Sequence, residues 1–258
     1  QVTRVETPAR ALKGASLAAT KRRALELLEA HDVDTTLLPV VVKGVNDGEL
    51  GRMIDLVLAK PFLRSLEIHT VTFTGQGGAA FSRAGRMTTD EVIGAIARGT
   101  DGRIGRHDFL PSPCAHPLCY QIALLLLDPA GGPPIPFTRF LARETLVELL
   151  SERLYLEPSA KLEEALLAAI DRLWAEGGDD AERTLAILKR VLGDVFPRDR
   201  VLTRREAQRR SERAAKAIYI HSHMDEETFD TERALRCCVT VPGPDGTRIP
   251  TCSYNVLY

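Results

Sequence analysis

The order of apolar and polar residues divides the chain into recognisable elements. In "LAATKRRALELLEAHD" (Leu17 to Asp32), Leu17, Ala24, Leu25, Leu27 and Leu28 fall on one stripe and charges fill the remainder, which predicts an amphipathic helix. "DTTLLPVVVKG" (Asp34 to Gly44) is a short apolar, β-branched run closed by glycine and predicts a buried strand. "DGELGRMIDLVLAK" (Asp47 to Lys60) returns to helical spacing, and "LRSLEIHTVTFTG" (Leu63 to Gly75) is a second β-rich run. The capping box "TTDE", with Thr88 and Glu91, opens a helix through about Ala97. Further on, "KLEEALLAAIDRLW" (Lys161 to Trp174) sets Leu162, Ala165, Leu166, Ala169, Ile170 and Leu173 at three- and four-residue steps. "AERTLAILKRVLGDVFP" (Ala181 to Pro197) repeats that pattern. "TRREAQRRSERAAKAIYIH" (Thr203 to His221), opened by a box of Thr203 and Glu206, predicts one more helix.

Helix, strand, helix, strand is the rhythm of parallel α/β units, in which function gathers at the loops after the strands' C-terminal ends. After about Gly105 the pattern becomes mostly helical, with cysteine-bearing loops. A boundary near Arg106 therefore divides an α/β part, residues 1–105, from a mainly helical part, residues 106–258. "DPAGGPPIP" (Asp128 to Pro136) is a rigid loop within the second part.

Composition narrows the function classes. A formal net charge of -1 argues against a footprint for nucleic acid or anionic lipid, and the arginines of "TRREAQRRSER" alternate with acids as on a solvated helix face. No stretch approaches the roughly twenty apolar residues of a spanning helix. Nothing resembles a charged-then-apolar leader, and the first residue is Gln1, so the sequence reads as a soluble chain that has lost its beginning. Five cysteines without a leader fit a reducing, cytoplasmic compartment and metal or thiol chemistry better than a disulfide framework.

The candidate chemistry lies in loops. In "KGVND", Gly44 suits a positive φ, while Asn46 and Asp47 either cap the next helix or meet a polar ligand. In "FTGQGG", Gly75, Gly77 and Gly78 suit either close backbone approach to a cofactor or an ordinary turn. "PSPCAHPLC" holds Cys114 and Cys119, and "RCCVTVPGPDGTRIPTC" holds Cys237, Cys238 and Cys252. Proline and glycine beside thiolates let the backbone turn sharply enough to aim several sulfurs at one point. Four sulfurs from the two loops suffice for an iron–sulfur cluster or a structural zinc, with one of Cys237 and Cys238 left over, and spacing does not choose between the metals. His116 either ligates or orients its loop. "HSHMDEETFD" offers His221, His223, Asp225 and Asp230 as metal ligands or proton carriers, or as caps of the preceding helix.

"VVVKGVNDGELG", the run ending "TFTGQG", "PSPCAHPLCY", "IYIHSHMDEETFD" and "RCCVTVPGPDGTRIPTCSYNVLY" together resemble the radical S-adenosylmethionine proteins of the tetraether-lipid-synthase and methanopterin-methylase type. The resemblance runs from about Ala18 to the end, and its "SPCxHPLC" and "IPxCxYN" elements are specific. It implies the second half of a partial (β/α) barrel followed by a mainly helical domain with auxiliary iron–sulfur ligands. It places Asn46, Gly75, Gly77 and Gly78 near bound S-adenosylmethionine and makes Cys114, Cys119, Cys237, Cys238 and Cys252 auxiliary ligands of a [4Fe–4S] cluster. The implied chemistry reduces S-adenosylmethionine to a 5′-deoxyadenosyl radical, which abstracts hydrogen from an unactivated carbon so that a C–C bond or a methyl group is made there. Implied partners are a small-molecule or lipid substrate, a ferredoxin or flavodoxin as electron donor and, for a lipid, peripheral membrane contact. The sequence departs from the family in lacking its CxxxCxxC loop, so the chain reads as an N-terminally truncated piece of such an enzyme, or as a non-catalytic iron–sulfur or zinc domain.

Overall fold

The computed structural model describes residues 14–74, 81–151, 153–178 and 180–257. Its opening follows the apolar pattern. Helix α1 (Ala18–Ala30) leads to strands β1 (Thr35–Leu37) and β2 (Val40–Val41), a single run in the pattern that breaks before β2 at Pro39. Proline has no N–H for a ladder, but the Pro39 carbonyl still accepts from His69 N at 2.9 Å, so both short strands stay parallel to β3 (Leu63–Thr70). Helices α2 (Leu50–Ala59) and α3 (Thr89–Gly99) flank β3 in sequence, and the capping box of Thr88 and Glu91 forms at the start of α3. These two helices pack so closely that a Cβ on Gly51 would overlap the Gly99 carbonyl.

The second half departs from the expected helical domain. Between β4 (Leu110–Pro111) and β6 (Ile135–Pro136) lies a long strand, β5 (Tyr120–Leu126). After α4 (Arg143–Leu149), α5 (Ala160–Glu176) and α6 (Ala181–Val195), helix α7 (Arg204–Ala214) stops well short of His221. Ala215–His221 is instead strand β7, paired in parallel with β3 and antiparallel with β5. The main sheet has seven strands in the order β1-β3-β7-β5-β4, with β2 on β3 and β6 on β5, so strands from both sides of Arg106 share it. The fold is thus mixed α/β with a mixed parallel and antiparallel sheet.

The reason β5 and β7 escape a pattern reading is that both of their faces are buried. Ala123, Leu125, Ile218 and Ile220 join one core with Ile54 of α2 and Ile96 of α3. Ile122, Leu124, Leu126 and Tyr219 join a second core with Leu146, Leu162, Leu166, Ile187 and Leu188 of α4 to α6. A strand covered on both sides loses its polar alternation and reads as a continuous apolar run. In α7 the charged residues continue almost to the strand, so the capping box is real but its helix ends before "AKAIYIH".

The chain ends in α8 (Thr231–Leu235), a ribbon of β8 (Thr240–Pro242) and β9 (Arg248–Pro250), and α9 (Thr251–Leu257). Among the described residues no helix is long and apolar enough to cross a membrane.

Candidate metal and cofactor site

Parallel pairing of β3 and β7 sets His69 directly opposite His221, while antiparallel pairing of β5 sets Tyr120 against the same histidine. His223 follows two residues beyond His221. The ring centroids of His69 and His221 are 5.2 Å apart, those of His69 and His223 5.0 Å, and those of His221 and His223 3.8 Å. Ligand atoms of all three rings lie within 4.8 Å of one another.

Glu67 precedes His69 by two residues and so shares its face of β3. Its Oε1 accepts the Tyr120 hydroxyl at 2.9 Å and lies 3.3 Å from His69 Nε2 and 3.9 Å from His221 Nδ1. Burial alone would raise the Glu67 carboxyl, but hydrogen bonds from His69 and Tyr120 outweigh it and hold the group below the usual carboxylate range. Burial, then the neighbouring imidazoles His223 and His69, push His221 down to about 2. Burial and His69 push His223 down to about 4. Both rings are therefore neutral near pH 7, the form in which imidazole ligates metals.

The five cysteines are free thiols. Cys114 and Cys119 bracket the turn between β4 and β5, closed by Cys119 N donating to His116 O at 2.8 Å. His116 Nδ1 also accepts from Leu118 N at 3.3 Å, so this ring orients the loop. Cys237 and Cys238 follow α8, and Cys252 enters on α9, whose first residue Thr251 is tied by its N–H to Val239 O at 3.0 Å. Cys114 Sγ and Cys238 Sγ are 3.5 Å apart. Burial and then Cys114 push the Cys238 thiol up to about 12, with Cys237 adding to the repulsion. Burial also raises Cys252, which feels Cys237 and Cys119 and accepts from Met224 N at 3.3 Å. Cys119 Sγ accepts from Arg233 Nε at 3.3 Å. Cys252 Sγ lies 3.7 Å from His223 Nδ1, which sets this thiol beside the histidines.

Other residues singled out in the sequence have different partners. Asn46 is buried, its Oδ1 accepting from Val42 N and its Nδ2 donating to Val40 O, each at 2.8 Å. Both polar ends thereby hold the loop after β2, and Asp47 accepts from Gly44 N at 2.7 Å. Gly75, Gly77 and Gly78 lie outside the described residues. Asp225 is a structural anchor: its carboxylate accepts from Phe73 N at 3.1 Å, Arg86 at 2.7 Å and the Thr228 hydroxyl at 2.9 Å. Asp230 caps α8 by accepting from Glu232 N and Arg233 N. The two aspartates are therefore occupied away from His221 and His223.

Pattern reading did not single out Glu67, His69 or Tyr120. The signal for the first two was present in "LEIHT", where Glu and His alternate with buried Leu66 and Ile68. Beside the site is a cavity of about 290 Å³ whose lining includes Arg86, Thr88, Gln121, Ser222, His223 and Arg233.

Among known proteins, no family model matches the chain. It is 26% identical to a 7,8-dihydro-6-hydroxymethylpterin dimethyltransferase of Methanocaldococcus jannaschii, an alignment covering 98% of this chain and 54% of that protein, so the chain spans about half the length of the curated relative it matches.

Proposed function

We propose that this chain is part of a radical S-adenosylmethionine enzyme that methylates an unactivated carbon, and that its cysteines hold an auxiliary [4Fe–4S] cluster. The observation that carries the reading is that Cys114 Sγ, in the loop before β5, lies 3.5 Å from Cys238 Sγ, after α8, although the two are more than a hundred positions apart. Burial and then the adjacent Cys114 raise Cys238, and binding to iron would offset the cost of ionising the two neighbouring thiols. Cys114, Cys119 and Cys252, with one of Cys237 and Cys238, would be the ligands. Arg233 Nε, donating to Cys119 Sγ at 3.3 Å, would orient that sulfur.

The donor set does not fit the radical-generating cluster, because the 258 residues contain no CxxxCxxC. Ligands for that cluster would come from the part of the enzyme that this chain does not span, and no step through it is assigned to these residues. When bound there, it and S-adenosylmethionine supply one-electron chemistry at carbon. The name of the relative supports methyl transfer; that protein's acceptor is a pterin by its name, and the acceptor is not carried over to this chain. A ferredoxin or flavodoxin would supply the electron.

Anaerobic reconstitution of the chain, followed by iron and sulfide analysis, tests the reading. The expected result is about four irons and four sulfides per chain, lost in Cys114→Ser and Cys252→Ser. Stoichiometric zinc without sulfide would overturn it and leave a non-catalytic zinc domain.

A further inference from the structure

We infer that His69, His221 and His223 form a mononuclear site for a borderline divalent cation such as Zn²⁺ or Fe²⁺, beside Cys252 but not built on the Cys114 and Cys238 pair. The rings come from paired neighbours in the sheet, so the backbone that carries two of them is already fixed by the ladder between β3 and β7. Ligand nitrogens on one tetrahedral zinc, about 2.0 Å from the metal, are about 3.3 Å apart. The three rings, within 4.8 Å, need only small side-chain rotations to reach that spacing.

Glu67 supplies the partner that such sites use to orient a ligand. Its Oε1 lies 3.3 Å from His69 Nε2 and 3.9 Å from His221 Nδ1 and is itself fixed by the Tyr120 hydroxyl, so one carboxylate holds two of the rings in place. Three imidazoles and a nearby carboxylate suit zinc or ferrous iron rather than magnesium or calcium. His223 lines the cavity while His69 and His221 do not, so the remaining coordination position opens toward it. A small molecule offering an oxygen or nitrogen donor would bind there, polarised by the cation. Asp225 and Asp230, engaged with Arg86 and with α8, are not ligands.

This site is independent of the iron–sulfur reading, and anaerobic titration of the full 258-residue chain with Co²⁺ separates the two. Cobalt on thiolates gives sulfur-to-metal charge transfer in the near ultraviolet, whereas cobalt on imidazoles gives visible ligand-field bands alone. The expected result is one cobalt without charge transfer, whose share of the visible absorbance is lost in His69→Gln while the charge-transfer band of any thiol-bound cobalt is unchanged. Glu67→Gln should weaken that cobalt by about 10-fold or more. His223→Gln, which changes a residue at the cavity wall, repeats the test should His69→Gln lower folding as read by circular dichroism. Visible bands that keep their full intensity in both histidine variants, or that are lost entirely with Cys114→Ser and Cys238→Ser alone, would overturn the proposal.

Discussion

Asp225 shows how one side chain can look chemical and act structurally. It sits two residues after His223 in a string of acids, yet its carboxylate gathers Phe73 N, Arg86 and Thr228, tying the segment after β3 to the segment after β7. Replacing it by alanine leaves a buried N–H without its acceptor and Arg86 with only the exposed Glu227, 3.0 Å away. Asp225→Ala should therefore cost about 2–3 kcal/mol, seen as a lower urea midpoint at unchanged slope. The aspartate's residue type was legible in the sequence, but its partners were not, because Phe73 lies 152 positions away. The same separation hid His69. A histidine alternating with buried leucine and isoleucine is an ordinary strand residue until the ladder sets it against His221.

At the scale of elements, helices with explicit ends were readable and doubly covered strands were not. Thr88 with Glu91, and Thr203 with Glu206, gave both capping boxes, because those bonds are local in sequence. In β7 the capping signal upstream and the missing alternation both favoured a helix, and only pairing with β3 and β5 makes the strand. Lys216 within this strand is almost fully buried, its Nζ donating to Pro61 O at 3.1 Å and also to Leu63 O. Burial lowers its pKa to about 8, against about 10.4 in an unfolded chain. Between those values the unfolded chain holds a proton that the fold has released, so this group's contribution to stability rises with pH there. Below about pH 8 both states are protonated and the contribution is flat. Lys216→Met should abolish the rise, which is measured as the difference between wild-type and variant unfolding free energies from about pH 7 to 10. A difference independent of pH would mean that the ammonium is not desolvated.

The sheet carries one large core on each face, and these faces do not coincide with two segments of the chain. Ile96, Ile218 and Ile220 belong to the core under α2 and α3, while Leu166, Leu188 and Tyr219 belong to the core under α4 to α6. Successive residues of β7 serve opposite cores, so the strand cannot leave one without leaving the other. A boundary near Arg106, drawn where the apolar pattern changes, coincides with a change of helical layer, but the sheet runs across it. The same geometry places His69 and His221 at the C-terminal ends of neighbouring strands. Truncating Ile96 to alanine should cost about 2–5 kcal/mol through lost burial and the cavity left behind. If the sheet couples the cores, the loss should be read equally in the opposite layer: amides of α5 and α6 that exchange only by global opening should lose protection by the same amount as those of α2 and α3. Leu166→Ala should act reciprocally on α2 and α3. Hydrogen exchange in which each substitution loosens only its own layer would show that residues on either side of Arg106 open as separate units.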